Sequence, residues 1–250
     1  MIKLSPSALS KFNACPRCFW LERVQNLPAP RGIFPTLPSG MDRIIKVWYD
    51  RHRGTSTLPL EIRWCAPGLL FNDQKLLEQW RSWKTGLQAK LTKDIIVSGA
   101  LDDLLYDSAT ELYYVLDYKT RGSAPRPGAT EEYYSIQGDS YALMLEANKM
   151  SPGPEAYFVY YWPVQAVATD SAFPPANIKF EFQVQAVKIP VKPKRAKELA
   201  LKAARCLTGK IPLANISCEL CPYTHERSIL ERKMIDVGER SQNKAGSLAR

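Results

Sequence analysis

Hydrophobic and polar positions along the chain follow two periods, and the changes between them mark the elements. Ser5-Pro6 supplies an N-cap and a proline at the first helical position. Leu9 and Phe12 then lie on one side of a short helix that ends near Cys15-Pro16-Arg17-Cys18. Phe19, Trp20 and Leu21 read as buried anchors, and the proline- and glycine-rich residues 26–40 as an extended connection. Ser39 and Asp42 form a capping-box-like start for a helix with Met41, Ile44, Ile45 and Trp48 on one face. Asn72 caps the longest helical pattern, in which Leu76, Trp80, Trp83, Leu87 and Leu91 recur at helical spacing, so both tryptophans are expected in the core.

The period then shortens. Ile95–Tyr106 and Leu112–Leu116 read as two strands of a β-hairpin, with Asp107-Ser108-Ala109-Thr110 supplying turn chemistry. Glu132–Asn148 returns to helical spacing, with Tyr134, Gln137 and Tyr141 along one stripe. Ala156–Trp162 and Lys179–Ile189 extend the sheet, Pro163–Ala176 reads as a loop, and Lys194–Lys210 as a helix with Leu199, Ala203 and Cys206 inward. The helix's lysines and arginines form a solvated face or a DNA-backbone surface. The expected organisation is one domain over residues 1–228 and a flexible tail over 229–250.

The hairpin carries charge where apolar residues belong. With a two-residue loop at Ser108-Ala109, Asp102 stands opposite Val115 and diagonal to Asp117, with Lys119 on the same face. A three-residue loop sends Asp102 and Asp117 to opposite faces. Two carboxylates converging in an apolar sheet require a compensating cation, and oxygen donors favour Mg²⁺ or Mn²⁺ over zinc. Asp102, Asp103, Asp117 and Lys119 on a half-exposed, solvated sheet are the alternative.

Length and charge widen the context. The 250 residues, 45% of them apolar, are enough for one substantial core. The formal charge of +9 suits a polyanionic partner without requiring one. Met1–Lys11 is polar, with no apolar run of signal-peptide or membrane length, which predicts a cytoplasmic or nucleoid-associated protein with no membrane partner. In that compartment the six cysteines are thiols or metal ligands rather than disulfides. Cys15-x-x-Cys18 and Cys218-x-x-Cys221 have the spacing of metal knuckles and together offer four thiolates, while Cys65 and Cys206 read as core thiols.

Four stretches in order resemble the PD-(D/E)XK nuclease superfamily, and within it the RecB-like branch of recombination and CRISPR-adaptation nucleases. They are Ser7–Pro16, the G-x-x-D of Gly99–Asp102, the strand ending in Asp117-Tyr118-Lys119, and the Q-x-x-x-Y of Gln137 and Tyr141. The resemblance implies an α/β restriction-endonuclease-like core, a mixed central sheet flanked by helices. It also implies metal-dependent hydrolysis of DNA, alone or beside other subunits of a repair, recombination or adaptation complex. Asp102 and Asp117 would hold Mg²⁺ or Mn²⁺, Lys119 would orient or deprotonate the water, and Gln137 and Tyr141 would support the site.

Two departures from the family pattern stand out. RecB-like proteins often place a histidine metal ligand on a helix near residue 46, where this chain has Lys46, and His52 comes after the helix should end. A protein that kept the fold as a non-catalytic DNA-binding or scaffold subunit is therefore the alternative reading. The resemblance also implies a [4Fe–4S] cluster on the four cysteines, but the usual third C-terminal cysteine is missing and Cys18 would take its place. Zinc is the alternative.

Overall fold

The computed structural model describes residues 1–30, 32, 36–168 and 178–247, with side chains to residue 233. The chain divides into two compact units, Met1–Ser10 with Pro30–Arg205, and Lys11–Ala29 with Cys206–Arg250. In order, the elements are β1 (Ile2–Leu4), α1 (Pro6–Ala14), α2 (Pro16–Val24), α3 (Thr36–Asp50), β2 (Leu69–Leu70), α4 (Gln74–Arg81), β3 (Leu87–Lys90), β4 (Ile95–Gly99), β5 (Asp103–Asp107), β6 (Leu112–Thr120), α5 (Ala129–Ala147), β7 (Glu155–Ala168), β8 (Ile178–Pro190), α6 (Pro193–Thr208) and α7 (Leu220–Ser247).

The larger unit is a mixed α/β structure. A three-stranded sheet runs β1-β4-β3 and a five-stranded sheet runs β2-β5-β6-β7-β8. β6 and β7 are parallel neighbours joined through α5, since a parallel pair cannot be closed by a tight turn. The other ladders of the larger sheet are antiparallel. Mixed strands flanked by helices form the expected restriction-endonuclease-like architecture.

The expected first strand of the hairpin is two strands in two different sheets. β4 ends at Gly99, Ala100–Asp102 leave the ladder, and β5 begins at Asp103. The β5–β6 loop has four residues rather than two. Asp107 pairs with Leu112 and Asp103 with Leu116, so the ladder continued by one step sets Asp102 directly across from Asp117. The register therefore differs by two residues from the expected one. A shift of two preserves side-chain parity, so both aspartates stay on one face. Asp107 holds the loop, its carboxylate accepting from Ala109 N at 3.0 Å and from Thr110 Oγ1 at 2.7 Å.

Alternation along β6 sorts its residues. Leu116 and Tyr118 join a buried cluster with Ile45, Tyr49, Leu70, Leu105, Val159 and Tyr161. Asp103, paired with Leu116, faces the same way and is completely buried. It is heavily bonded there: Tyr118 OH donates to Asp103 Oδ2 at 2.7 Å, and Arg53 Nη2 and Arg81 Nη2 lie 2.8 and 3.1 Å from the same oxygen. Asp50 bridges both arginines at 2.8 Å. Burial works against the Asp50 charge, but the two arginines outweigh it and hold its carboxyl below the usual range.

Several expectations are corrected. The long helical pattern after Asn72 breaks at Arg81, and the N-cap is Asp73, whose carboxylate accepts from Leu76 N. Beyond it Leu87 and Ala89 are buried in β3 while Gln88 and Lys90 are not, so the apparent helical period conceals a period of two. Trp80 is buried, but Trp83 is 76% exposed because it follows the helix end. α3 already begins at Thr36, and its buried residues are Ile45 and Tyr49, leaving Ile44 and Trp48 exposed. β7 continues through Pro163 to Ala168, where a loop was expected; residues 169–176 of that loop lie outside those described. Arg195 of α6 is not simply solvated, since it pairs with the buried Asp139. Cys65 is exposed rather than in the core.

The smaller unit is built around the N-terminal turn of α2 and the start of α7. Among its described residues only Cys15 and Phe19 are buried apolar side chains. Arg17 Nε donates to Pro212 O at 3.0 Å and Trp20 Nε1 to Gly209 O at 3.1 Å. α7 continues to Ser247, so residues 229–247, where a tail was expected, are helical. Among the described residues no helix is long and apolar enough to cross a membrane.

Removing Asp103 leaves two buried arginines facing the single carboxylate of Asp50. Asp103→Asn is expected to lower the unfolding free energy by about 3–5 kcal/mol, read from urea unfolding. A loss below about 1 kcal/mol would show that the network does not anchor β5.

Candidate active site

The break between β4 and β5 is the local feature that presents Asp102. Outside a ladder, its backbone groups need other partners. Leu101 N donates to Trp80 O at 2.9 Å, Arg81 Nε donates to Asp102 O at 2.8 Å, and the Tyr141 hydroxyl donates to Ala100 O. Gly99 allows this close approach, because a Cβ there would stand 3.0 Å from the Tyr141 ring and 3.2 Å from Pro6. Tyr141 therefore holds the backbone that carries Asp102.

Asp102 Oδ2 accepts from Tyr118 N at 3.3 Å, and Oδ1 lies 2.7 Å from Lys46 Nζ. Asp117 is buried in the middle of β6, where its Oδ1 accepts from Gln137 Nε2 at 2.7 Å. Its Oδ2 lies 2.5 Å from Lys119 Nζ but has no partner in hydrogen-bonding orientation. Lys119 Nζ donates to Gln137 Oε1 at 3.1 Å and stands 4.4 Å from the centre of the Tyr134 ring, a cation–π contact. The Gln137 amide thus uses both ends, one on the carboxylate and one on the ammonium.

Electrostatics reflect this crowding. Burial pushes the Asp117 carboxyl up to about 7; Lys119 pulls it down, and Asp102 adds to the rise. Burial works against the Lys119 charge, but Asp117 and Asp102 outweigh it and raise the ammonium above its usual value. The buried, incompletely bonded Asp117 Oδ2 beside a second carboxylate is the environment a hard divalent cation satisfies. A cleft of about 340 Å³ lined by Pro38, Ser39, Asp42, Ile45, Tyr118, Lys119 and Thr120 borders the site at Asp42 and Lys119.

α3 supplies the residue that replaces the expected histidine. Asp42, Ile45, Lys46 and Tyr49 fall at i, i+3, i+4 and i+7, so one stripe carries both core and polar groups. Lys46 Nζ bridges Asp102 and Asp42, 2.7 and 2.8 Å away. Burial opposes its charge, yet Asp102 and Asp42 together raise its pKa. His52 lies in the turn after α3, its ring edge-on to Trp48 at 5.0 Å.

Asp102, Asp117, Lys119 and Gln137 therefore meet at one point, and Tyr141 supports it from behind. Arg126 is exposed with its guanidinium near the Tyr133 hydroxyl, and Arg121 is half-buried in the loop after β6. Sequence reasoning placed Asp42 at a helix start and Tyr134 on the Gln137–Tyr141 stripe without assigning either to the site, and it missed the bonds from Trp80 and Arg81. The fourfold spacing of Asp42 and Lys46 and the threefold spacing of Tyr134 and Gln137 were the available signals.

The four cysteines also come together, within the smaller unit. Their sulfurs all lie within 4.8 Å of one another, with Cys15–Cys221, Cys18–Cys218 and Cys18–Cys221 at 3.8, 3.7 and 3.5 Å. None is in a disulfide. At Cys15, burial pushes the thiol up, but the N–H groups of Cys18 and Asn215 and the facing sulfurs bring it down to about 7. Burial pushes Cys221 up to about 11 and, with the neighbouring sulfurs, moves Cys18 still further up. Four thiolates this close repel unless a cation lies among them, so the donor set fits a thiophilic metal.

A model of the PD-(D/E)XK nuclease superfamily matches residues 43–225. The matched span includes Lys46, Asp102, Asp117, Lys119, Gln137, Tyr141, Cys218 and Cys221. A search of curated proteins found no match.

The raised Asp117 pKa has a defined consequence for stability without Mg²⁺ or Mn²⁺. Between the ordinary value of 3.8 and about 7, folded Asp117 keeps a proton that the unfolded chain releases. This contribution is fully present below the unfolded pKa and is lost as pH rises through about 7. Asp117→Asn is expected to remove it, so that urea unfolding at pH 5 and pH 8 differs less in the variant than in wild type. Equal pH dependence would mean that Asp117 is ionised throughout.

Proposed function

The chain belongs to the PD-(D/E)XK nuclease superfamily, and from that membership we propose that it is a Mg²⁺- or Mn²⁺-dependent deoxyribonuclease of the RecB-like kind. The observation that carries the reading is the convergence of Asp102, Asp117 and Lys119 on one face, with Lys119 Nζ 2.5 Å from a carboxylate oxygen that lacks a hydrogen bond. Asp102 and Asp117 would hold the ion, which when bound polarises the phosphodiester and acidifies a bound water. Water adds to phosphorus as the bond to the leaving oxygen breaks; the water's proton passes to solvent, and the leaving oxygen takes a proton from solvent to depart as an alcohol. Lys119, held as an ammonium, is suited to orienting the water and countering charge on the phosphoryl oxygens rather than to taking the proton. Gln137 fixes Lys119 against Asp117, and Tyr141 fixes the backbone of Asp102. Action within DNA repair, recombination or CRISPR-related processing in the cytoplasm, alone or with other subunits, is the extension that the RecB resemblance supports.

The cysteine centre is read as a structural zinc site. A single ion with bonds of about 2.3 Å in tetrahedral array sets its sulfurs about 3.8 Å apart. The three separations of 3.5–3.8 Å match that geometry. In a [4Fe–4S] cube each thiolate binds a different iron at a separate corner, which spreads the sulfurs further. These separations favour the mononuclear alternative over the [4Fe–4S] cluster that the family resemblance implies.

The decisive assay incubates single- and double-stranded DNA, with RNA as comparison, in Mg²⁺ or Mn²⁺. Asp117→Ala and Lys119→Ala are each expected to lower cleavage by at least about 10²-fold. A wild type that binds DNA and cleaves nothing would instead identify a non-catalytic scaffold. Variants as active as wild type would remove the site assignment.

Metal analysis of the same preparation is expected to find about one zinc per chain, lost on Cys18→Ser together with thermal stability. Iron with acid-labile sulfide and broad visible absorption would overturn the mononuclear assignment.

A further inference from the structure

Lys46 is the ammonium that α3 brings to the site. Its side chain is only 19% exposed and its ammonium touches two carboxylates, Asp42 and Asp102. Both site carboxylates therefore have an ammonium on one oxygen and an N–H on the other: Asp102 meets Lys46 and the Tyr118 amide, and Asp117 meets Lys119 and the Gln137 amide. The cluster holds three carboxylates, Asp42, Asp102 and Asp117, against two ammoniums, Lys46 and Lys119. Its formal charge is therefore about −1, enough to attract one divalent ion and too little for two.

We propose that Lys46 is a tethered cation that bridges the Asp42–Asp102 half of the carboxylate cluster, competes there with an incoming ion, and limits the site to one weakly held divalent ion. This inference rests on the nuclease reading. An ammonium fixed to α3 is present at high effective concentration, so an incoming ion competes with it for Asp102 Oδ1. An imidazole at that position would add a neutral ligand, whereas Lys46 adds a positive charge and no lone pair. The same substitution thus weakens ion binding twice, by repulsion and by taking a donor oxygen.

Mn²⁺ titration of the whole protein, followed by the electron paramagnetic resonance of free Mn²⁺, tests this without reference to activity. Wild type is expected to bind one Mn²⁺ per chain. Lys46→Met, close in shape and uncharged, is expected to bind Mn²⁺ at least about tenfold more tightly, since it removes one nearby positive charge. A bracing role for Lys46 would lower the melting temperature and leave Mn²⁺ affinity unchanged. Where the Met variant fails to fold, Lys46→Gln, which keeps a donor but no charge, carries the same measurement. Two ions in a cleaving wild type, or unchanged affinity in the folded neutral variant, would overturn this inference alone. A wild type that neither binds Mn²⁺ nor cleaves DNA would remove the nuclease reading with it.

Discussion

Neighbouring residues of a strand point to opposite faces, and in the β5–β6 pair that rule divides two aspartates adjacent in the chain. Asp103 turns into the core, where Arg53, Arg81 and Tyr118 meet it. Asp102 turns the other way, towards Asp117 and Lys46. The same alternation along β6 sends Leu116 and Tyr118 to the core, and Asp117 and Lys119 to the helix α5 side. A register slip of one residue would exchange the two sets, bury the candidate site and expose the anchor.

The two buried carboxylates show how an interior separates structure from chemistry. Desolvation costs each of them several kcal/mol unless partners compensate. Asp103 is compensated by two arginines and a hydroxyl, so nothing remains for a ligand to satisfy. Asp117 receives one amide on Oδ1 and one ammonium 2.5 Å from Oδ2, fewer partners than Asp103, and its carboxyl is raised to about 7. That residual demand is one a divalent ion would meet.

The smaller unit obeys a different economy. With Cys15 and Phe19 as its only described buried apolar side chains, it lacks the core that holds the larger unit. Small units with thin cores depend on cross-links or metals. Four sulfurs at 3.5–4.8 Å supply such a point of closure between segments some two hundred residues apart in the chain.

Much of this was legible in the residues alone. The hairpin and the Gln137–Tyr141 stripe follow from short-range periodicity, because local sterics impose periods of 2 and 3.6 on any chain. The two CxxC motifs offered four thiolates by their spacing, the α/β core was what the family resemblance implied, and the Asp102–Asp117–Lys119 face survived a two-residue change of register because parity was kept. The two-sheet break at Ala100–Asp102 was not legible, since it depends on Tyr141, Trp80 and Arg81 reaching its backbone from elsewhere in the chain. Nor was the face of α3, which turned from Ile44 and Trp48 to Asp42, Ile45, Lys46 and Tyr49 once a polar bridge to Asp102 competed with apolar burial. Sequence by itself determined which groups could share a face. Tertiary structure decided which carboxylate was saturated and which was left open, because that depends on charges brought from distant segments into a few ångströms of low-dielectric space.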